Sequence, residues 1–236
     1  MNKHRRAIIL AGGKGSRLRP YTVVLPKPLM PIGEYPILEL VVKQLIKNDF
    51  SHITMCVNHQ AELIKTFFGN GERWGIKIDY SHEIEPKGTM GPLKNILDLP
   101  NNFLVMNGDI LTNLNFEKFY IDHVDSNQIF SISSFKRKQK IDYGVLDCDL
   151  NKFLNGFIEK PIYDFNVSMG IYMVNKQILE FIPNEFFGFD SLMKKLLEIG
   201  YKVKVVEFND YWLDIGRPDD YMKAIEDFDS MKNIFL

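Results

Sequence analysis

A glycine-rich loop with several cations follows the first apolar run of the chain. The run Ala7–Leu10 is typical of a buried strand in a parallel sheet. The loop after it contains glycines and basic residues, namely Gly12, Gly13, Lys14, Gly15, Arg17 and Arg19. Glycine lets the backbone turn tightly and brings N–H groups close to an anion, and the cations add positive charge. We therefore expect a polyphosphate at the carboxyl end of this strand, where open α/β sheets bind their ligands.

The spacing of this loop excludes two common phosphate-binding motifs. A Walker loop requires G-x-x-x-x-G-K-[ST], and Gly13–Ser16 has the residue types without that spacing. A dinucleotide-binding fingerprint requires a third glycine where Leu18 stands. The loop therefore indicates a phosphate site of another kind.

A lysine between two prolines follows the loop. Proline restricts its own φ and the conformation of the residue before it, which predicts a stiff, extended backbone for Pro26-Lys27-Pro28. We therefore expect the ammonium group of Lys27 to be held in one direction. The alternative is a Gly/Pro connection between a first strand and a first helix, but such a connection needs no lysine at a fixed place.

The two motifs together resemble a known family. Residues 11–20 fit A-G-G-x-G-[ST]-R-L-x-P, and P-K-P follows, as in the sugar-1-phosphate nucleotidylyltransferases, also called nucleotide-sugar pyrophosphorylases. Among these, the chain most resembles the mannose-1-phosphate guanylyltransferase-like members. The resemblance implies that Arg17 and Lys27 are catalytic. It also implies a nucleotide-binding set, namely Leu10, Ala11, Gly12, Gly13, Gly15, Ser16, Glu85, Gly88 and Gly108.

An aspartate follows the apolar run at 103–106, in Asn107-Gly108-Asp109. A carboxylate just beyond a buried strand can enter the cleft near the glycine loop, and Mg²⁺ commonly takes one or two carboxylates together with substrate phosphates. The alternative is an Asx-type turn that caps the strand. The family carries a metal-binding aspartate in this element, so the resemblance favours Asp109 as a ligand of Mg²⁺.

A second aspartate lies in a later motif of the family. The stretch 212–216 resembles its W-x-D-x-G element, which implies that Asp214 is the second carboxylate on the same Mg²⁺. From the residues alone, Asp214 could equally serve the start of a helix at Pro218, together with the neighbouring acids Asp219 and Asp220.

Further motifs resemble the family's sugar-phosphate elements. Glu159-Lys160-Pro161 matches E-K-P, Tyr143-Gly144-Val145 matches Y/F-G-V, and Gly170 lies in an x-G-x-Y element. They imply that Lys160 binds the sugar phosphate, that Glu159 binds sugar hydroxyls, and that Gly144 and Gly170 lie close to the sugar. The alternatives are a solvated lysine and ordinary hairpin glycines.

The stretch 83–93 resembles the E-P-L-G-T-A-G-[AP]-L element of guanylyl members, with Lys87 in place of leucine and Met90 in place of alanine. In the family this element lines the base pocket. One carboxylate can accept hydrogen bonds from both N1–H and N2–H of guanine, whereas uracil and thymine offer one such donor. Glu85, or else Glu83, is therefore a candidate reader of guanine. The alternative is an exposed acid before a turn.

The order of elements indicates one α/β domain over residues 1–236, long enough for a substantial core. Patterning predicts strands at 53–57, 77–80, 103–106, 129–135, 144–147, 153–159, 168–174 and 202–207. It predicts helices at 35–48, 61–69, 90–97, 175–181 and 189–199, and from Pro218 onward. The first half alternates strands and helices, which is typical of βαβ units. The family implies a Rossmann-like, three-layer fold with a mixed central sheet, of the glycosyltransferase-A-like type. We expect a nucleotide-binding half at about 1–110 and a sugar-phosphate half at about 111–236.

The composition limits which classes of partner the chain is expected to bind. A net charge of -1 argues against nucleic acid or an acidic membrane surface, and no apolar run approaches the ~20 residues of a membrane span. Cys56, in an apolar run, is most simply a buried thiol in the cytoplasm. The aromatic stretch 186–189 predicts a corner of the core, with a subunit contact in a homo-oligomer as the alternative.

The resemblance implies the reaction NTP + sugar 1-phosphate ⇌ NDP-sugar + pyrophosphate, with Mg²⁺ as cofactor. GTP with mannose 1-phosphate, or a related hexose or heptose 1-phosphate, is the first expectation. UTP, CTP or dTTP with another sugar 1-phosphate is the alternative within the family. A glycosyltransferase of the same fold would not need the P-K-P lysine. A nucleotide-binding regulatory subunit could have lost the charges that serve the transition state.

Overall fold

A seven-stranded mixed sheet organises the chain in the computed structural model, which describes residues 5–83 and 85–236. In chain order the strands are β1 (Arg5–Leu10), β2 (Pro31–Ile32), β3 (Tyr35–Pro36), β4 (Phe50–Val57), β5 (Lys77–His82), β6 (Asn102–Asn107), β7 (Ile110–Thr112), β8 (Phe130–Lys140), β9 (Val145–Cys148), β10 (Leu154–Ile158), β11 (Ile162–Asn175), β12 (Lys204–Phe208) and β13 (Trp212–Asp214). The large sheet has the order β12-β8-β11-β6-β1-β4-β5, and the other strands pair as β2–β3, β7–β13 and β9–β10.

Strand direction decides where a ligand can bind. β6, β1, β4 and β5 are parallel neighbours, so their carboxyl ends meet at one edge of the sheet. β11 runs antiparallel to both β6 and β8, and β12 is parallel to β8. The predicted mixed central sheet is therefore confirmed. Because β11 lies between β8 and β6, both halves of the chain contribute to one sheet, and the functional division at about residue 110 stays a prediction.

Helices connect the strands, and most of them were predicted within two or three residues. They are α1 (Ile37–Lys47), α2 (Ala61–Phe68), α3 (Phe116–Asp125), α4 (Phe189–Glu198) and α5 (Pro218–Phe235). The predicted α-helices at 90–97 and 175–181 are instead 3₁₀-helices, at Gly91–Asn95 and Lys176–Phe181. Gly91 and Pro92 open the first of these, and neither residue favours a regular α-helix there beyond its first turn. Helix α3 was not predicted.

Two large apolar clusters cover the two faces of the sheet. Alternate residues of β1 point to opposite faces, so Ile9 belongs to the cluster that includes residues of α1, α2 and α3. Ile8 belongs to the cluster that includes Leu192 and Leu196 of α4. A third cluster joins α1 and α5 to the segment around Met30. Helices and loops on both faces make the predicted layered α/β architecture, and the core fixes the strand ends that carry the site.

A solvent-exposed arm extends from the sheet. The outer parts of β8 and β11 pair with each other, and most of their side chains there are exposed. Beyond them, β9 and β10 form an antiparallel hairpin, which confirms the hairpin predicted from residues 144–147 and 153–159. The strand predicted at 168–174 is the inner half of β11.

Other expectations have simple outcomes. Cys56 is buried as predicted, and burial raises the pKa of its thiol. Within the described ranges, no helix combines the length and apolar character needed to span a bilayer. The cytoplasmic location, the lack of a nucleic-acid partner and the homo-oligomer stay predictions.

Candidate active site

A cavity of about 430 Å³ lies at the carboxyl edge of the parallel strands. The predicted site residues that line it come from several segments, namely Leu10, Ala11, Gly12, Gly13, Gly15, Ser16, Arg17, Lys27, Gly88, Gly108 and Asp109. Lys14 lines it as well, so three cationic side chains face the cavity, two from the glycine loop (Lys14 and Arg17) and one from Lys27. The structure therefore brings together most of the predicted nucleotide-binding and catalytic residues.

Backbone hydrogen bonds hold the glycine loop against the neighbouring strands. The amide of Ala11 donates to the carbonyl of Cys56 at 2.9 Å, and the amide of Gly108 donates to the carbonyl of Leu10 at 3.0 Å. Gly15 adopts φ +60, and a Cβ there would lie 2.9 Å from Thr22 Cγ2. A side chain at this position would clash and would strain the turn, so glycine is required.

Arg17 and Gly216 meet across the cavity wall. A Cβ on Gly216 would lie 3.3 Å from Arg17 Nη1, so the small residue leaves room for the guanidinium group. Gly216 lies two residues after the end of β13 and also lines the cavity. The glycine of the W-x-D-x-G element thus helps to seat a cation predicted to be catalytic.

Lys27 is buried, with 8% of its surface exposed. The backbone forms a 3₁₀ turn at Lys27–Leu29 rather than the predicted extended path. The amide of Met30 donates to the carbonyl of Lys27 at 3.0 Å and closes this turn. The ammonium group forms an ion pair with Asp109 Oδ2. Its direction is therefore fixed by a carboxylate partner as well as by the adjacent prolines.

The β7–β13 ribbon brings Asp109 and Asp214 together. Asp214 pairs with Ile110, and the amide of Ile215 donates to the carbonyl of Asp109 at 3.1 Å. Partial shielding from water raises the pKa of the Asp214 carboxyl, and the negative charge of Asp109 raises it further. Two like charges therefore face one region, which is the electrostatic arrangement of a cation site.

The structural alternatives for these aspartates find little support. At the start of α5, Asp220 Oδ2 accepts from the amides of Arg217 and Gly216, at 2.9 and 3.3 Å. Asp220, rather than Asp214, therefore caps this helix. Asp109 Oδ2 is paired with Lys27, and its Oδ1 is buried with no hydrogen-bond partner. A buried, unpaired carboxylate oxygen is costly unless a ligand satisfies it.

The acidic groups suffice for Mg²⁺ but not for a metal held by protein ligands alone. Among the described residues, no group of three or more His, Cys, Asp or Glu side chains could hold a metal ion. Mg²⁺ usually binds one or two carboxylates and completes its shell with waters and substrate phosphates. The unpartnered Asp109 oxygen beside Asp214 fits that requirement.

Glu83, rather than Glu85, lines the cavity. Glu83 is 8% exposed, and its Oε2 accepts from the amide of Lys87 at 3.0 Å. Burial raises the pKa of the Glu83 carboxyl. Glu85 is exposed and lies outside the lining, so of the two candidate acids the structure places Glu83 at the cavity, and the role of either stays a prediction. Ile84, which separates them, lies outside the described residues. Glu83 follows β5 directly, so the rule that ligands bind at strand ends favours it.

The predicted sugar-phosphate residues do not line this cavity. Gly144, Glu159 and Lys160 lie on the exposed arm, where Lys160 Nζ is 3.8 Å from Glu159 Oε1. Gly170, in β11, is closer to the site, because a Cβ there would lie 2.6 Å from Asn107 Nδ2. Lys160 has φ 45, a left-handed conformation that is uncommon outside glycine. The roles of these four residues stay predictions.

Several lining residues were missed. Asn58 directly follows β4, and the rule on strand ends could have identified it. Phe186 also lines the cavity, whereas the aromatic stretch was predicted to be a corner of the core. That prediction holds for Phe187 and Phe189, which pack against the cluster that contains Ile8. No local pattern distinguishes Phe186 from its two neighbours.

Comparisons with known proteins find similar sequences and structures over most of the chain. The sequence model of the family described as "Nucleotidyl transferase" matches residues 6–230. A D-glycero-alpha-D-manno-heptose 1-phosphate guanylyltransferase from Campylobacter jejuni is 33% identical, over 92% of this chain and 96% of its own length. Two crystal structures of HddC from Yersinia pseudotuberculosis, one complexed with GMP-PN, have TM-scores of 0.75 and 0.73 at 30% and 29% identity, and cover 95% of this chain and 99% of theirs.

Longer proteins are also similar. A UTP--glucose-1-phosphate uridylyltransferase from Synechocystis is 32% identical over 93% of this chain. A mannose-1-phosphate guanylyltransferase catalytic subunit beta from Drosophila pseudoobscura is 31% identical, also over 93% of this chain. The chain spans 62% and 61% of these two relatives, so they contain further sequence that this chain does not match.

Proposed function

Because this chain belongs to the nucleotidyl transferase family, as a member of the sugar-1-phosphate nucleotidylyltransferases, we propose that it transfers a nucleotidyl group from an NTP to a sugar 1-phosphate. The products are an NDP-sugar and pyrophosphate. GTP is the proposed nucleotide, and mannose 1-phosphate or a related hexose or heptose 1-phosphate is the proposed acceptor. One observation carries the proposal: a single cavity joins the glycine loop, Lys27 and Asp109.

The reaction needs positioned charge more than covalent chemistry. An oxygen of the sugar phosphate attacks the α-phosphorus in line, the bond from that phosphorus to the β-phosphate oxygen breaks, and pyrophosphate leaves with the electron pair. Phosphoryl transfer depends mainly on positioning and charge neutralisation, and the same reasoning extends to nucleotidyl transfer. The amides of the glycine loop and the guanidinium of Arg17 would hold the triphosphate. The ammonium of Lys27 would offset negative charge beside the reacting phosphates.

Asp109 and Asp214 would hold Mg²⁺. The observation that supports this is the buried Asp109 oxygen without a partner, next to the Asp214 carboxyl, whose pKa is raised by burial and then by the charge of Asp109. When bound, the ion would supply positive charge to the phosphates. Lys27 already occupies the other oxygen of Asp109, so the lysine and the ion would both act on the same small region of the site.

Glu83 would read the base. Its carboxylate is buried in the cavity lining, and it can accept hydrogen bonds from two donors of guanine. The names of two relatives as guanylyltransferases support this choice. Because a uridylyltransferase from Synechocystis is also similar to this chain, UTP is the alternative that an experiment must exclude.

The exposed arm would bind the sugar 1-phosphate. Lys160 is proposed to bind its phosphate and Glu159 its hydroxyl groups, with the backbone at Gly144 and Gly170 near the sugar ring. The left-handed conformation of Lys160 supports this, because uncommon backbone conformations concentrate at functional sites. Gly170 lies beside Asn107, a residue of the cavity wall, and so links the arm to the nucleotide site.

The test is an array of the four NTPs against several sugar 1-phosphates with Mg²⁺, followed by pyrophosphate release. We expect the highest kcat/KM with GTP and a manno-configured sugar 1-phosphate. A uridylyltransferase would instead show this preference for UTP and glucose 1-phosphate. Pyrophosphate release in no well would contradict the proposed reaction and would favour a binding subunit. Transfer of the sugar from an NDP-sugar to an acceptor, without pyrophosphate, would identify a glycosyltransferase.

A further inference from the structure

The loop after β5 is held by a segment far along the chain. The amide of Phe187 donates to the carbonyl of Lys87 at 2.9 Å, and the amide of Met90 donates to the carbonyl of Phe187 at 3.0 Å. Gly88 has φ +78, and a Cβ there would lie 2.6 Å from the oxygen of Phe187. These contacts leave no space between the two segments. The position of residue 186 relative to the cavity is therefore fixed by backbone hydrogen bonds.

Lys87 adds a side-chain link between the same segments. Its Nζ lies 3.3 Å from Asn95 Oδ1 and 3.5 Å from Asn184 Oδ1. Lysine stands here where the resembling family element has leucine, and its long side chain reaches the chain just before Phe186. The departure from the family pattern thus strengthens the support of this wall of the cavity.

Phe186 differs from the aromatic residues beside it. It is 69% exposed, whereas Phe187 and Phe189 pack against the core. Exposure of a single aromatic residue is common and needs no explanation by itself. Phe186, however, is exposed on the wall of the cavity, and no other ring within the described part of the chain packs against it. Its apolar face is therefore available to a ligand in the cavity.

The cavity lining combines three cations, one buried carboxylate and one exposed aromatic ring. The basic side chains Lys14, Arg17 and Lys27 suit a polyphosphate. Glu83 and the segment of Phe186 are both held by Lys87, whose amide donates to Glu83 Oε2 and whose carbonyl accepts from the amide of Phe187. An acceptor for N–H groups beside a flat apolar surface matches a nucleobase, which offers N–H donors at its edge and a π face.

We propose that the ring of Phe186 is the surface on which the base of the nucleotide stacks, an affinity role that rests on the proposed nucleotidyl transfer. Glu83 would contact the edge of the base, and Phe186 its face. Stacking between a base and an aromatic side chain tolerates any base, because every base has a π face. Phe186 therefore contributes affinity for the nucleoside part, and Glu83 contributes the choice among bases.

The test measures equilibrium binding, separately from turnover. The full chain and Phe186→Ala are titrated with each of the four NTPs and with inorganic tripolyphosphate, in the presence of Mg²⁺. We expect Phe186→Ala to weaken binding of the tightest NTP by roughly 5- to 100-fold, while tripolyphosphate binding stays within about 2-fold. Tripolyphosphate carries the charge of the nucleotide without a base, so the difference reports contact with the nucleoside part.

Phe186→Trp supplies a direct signature. It should keep NTP affinity within a few-fold of the unaltered chain, and its added fluorescence should be quenched by GTP but not by tripolyphosphate, after subtraction of the signal of the unaltered chain. Phe153→Ala is the matched control, since Phe153 is 71% exposed but lies in the turn between β9 and β10, outside the cavity. It should leave both affinities unchanged.

Clear results would overturn the stacking role. They are unchanged NTP affinity in Phe186→Ala, an equal loss for tripolyphosphate, or a fluorescence change that does not depend on the base. Because Phe186 is exposed, melting temperatures of the variants should match that of the unaltered chain. Binding with the expected losses but without pyrophosphate release in the substrate array would refute the proposed reaction and leave Phe186 as a base-stacking residue.

Discussion

The ammonium group of Lys27 forms an ion pair with Asp109 Oδ2, although the two residues are 82 positions apart in the chain. Lys27 is nearly buried, and a buried charge is stable when an opposite charge lies beside it. The pair therefore holds the lysine at the carboxyl edge of β6 before any substrate binds. Asp109 in turn has one oxygen occupied by the lysine and one without a partner.

Lys27→Ala should reduce turnover far more than nucleotide binding. A fixed cation in a preorganised site acts mainly on the charge that develops in the transition state, and its loss should lower kcat by about 10²–10³. The measurement is pyrophosphate release at saturating substrates, together with a titration of GTP. Lys223→Ala, on the exposed surface of α5, is the matched control. Equal activity of Lys27→Ala and the control would show that P-K-P is only a stiff connection.

Asp109→Asn and Asp214→Asn should both lose Mg²⁺-dependent turnover but should differ in stability without metal. Asp214 is repelled by Asp109, so its neutral replacement should melt at the same temperature or slightly higher. Asp109→Asn should melt lower, since it leaves the buried charge of Lys27 without its partner. Thermal melting in EDTA, paired with pyrophosphate release over a range of Mg²⁺ concentrations, checks both. If either variant kept its turnover, the residue replaced in it would not be a ligand of Mg²⁺.

Glu83→Gln should weaken the preference for GTP by roughly 1–3 kcal/mol, because the amide places a donor where guanine also has one. Glu85→Gln is a matched control two positions away, on the exposed side of the same loop. Ratios of kcat/KM for GTP and UTP measure the preference. An unchanged ratio in Glu83→Gln, or an equal change in both variants, would assign base recognition elsewhere.

Glu83 should also make GTP binding depend on pH. Burial raises the pKa of its carboxyl, so between the ordinary pKa of glutamate and the raised value the folded chain holds a proton that the unfolded chain has released. This group's contribution to stability therefore falls as pH rises through that interval. Base recognition needs the charged form, so GTP affinity should fall as pH drops through the raised pKa. Titrations at several pH values should show a flatter profile for Glu83→Gln.

Lys160→Asn should raise KM for the sugar 1-phosphate by roughly 10- to 100-fold and leave NTP affinity nearly unchanged, since a charge-assisted contact to phosphate is lost. Asparagine tolerates the left-handed conformation at φ 45, so the melting temperature should not fall. Lys152→Asn is the matched control, because Lys152 has φ 69 on the same exposed arm. If NTP affinity fell instead, Lys160 would belong to the triphosphate site.

His123 should make the fold sensitive to acid. Burial and, to a smaller extent, the positive charge of Lys204 lower the pKa of this histidine to about 4. Between pH 6.5 and 4 the unfolded chain binds a proton that the folded chain does not, so stability should fall on acidification by up to about 3 kcal/mol. The decline in melting temperature over this range should be smaller in His123→Gln than in the control His59→Gln, whose side chain is exposed. Equal declines would mean that other groups dominate.

Local patterns were enough to predict the framework of the site. Short apolar runs identified β1, β4 and β6, and the glycines and prolines between elements marked the loops that bind phosphate. Since parallel strands present their carboxyl ends at one edge, residues that follow β1 and β6 must lie near each other. This is why Lys27, Asp109 and the glycine loop could be assigned to one place from the sequence, with the family resemblance supplying their roles.

Helix α3 combines local signals with contacts that are not local. Its buried residues Phe116, Phe119 and His123 follow helical spacing, and it also packs against a distant strand. Phe116 and Phe119 enter the core, and His123 Nδ1 lies 2.8 Å from Ser131 Oγ on β8. The side chain of Asn115 caps it by accepting from the amide of Lys118 at 2.7 Å. The cap is a local signal, whereas the contact between His123 and Ser131 becomes visible only when the helix is placed on the sheet.

The sequence by itself determined the fold class, the phosphate loop and the family. Tertiary structure decided that Glu83 rather than Glu85 faces the cavity, that Asp220 rather than Asp214 caps α5, and that Phe186 forms part of the wall. The physical reason is the same in each case. Which side chain faces a cavity depends on strand register and on hydrogen bonds between segments far apart in the chain, and a shift of one residue reverses the direction of a side chain. Residue types and spacing specify the possible contacts, and the packed backbone selects among them.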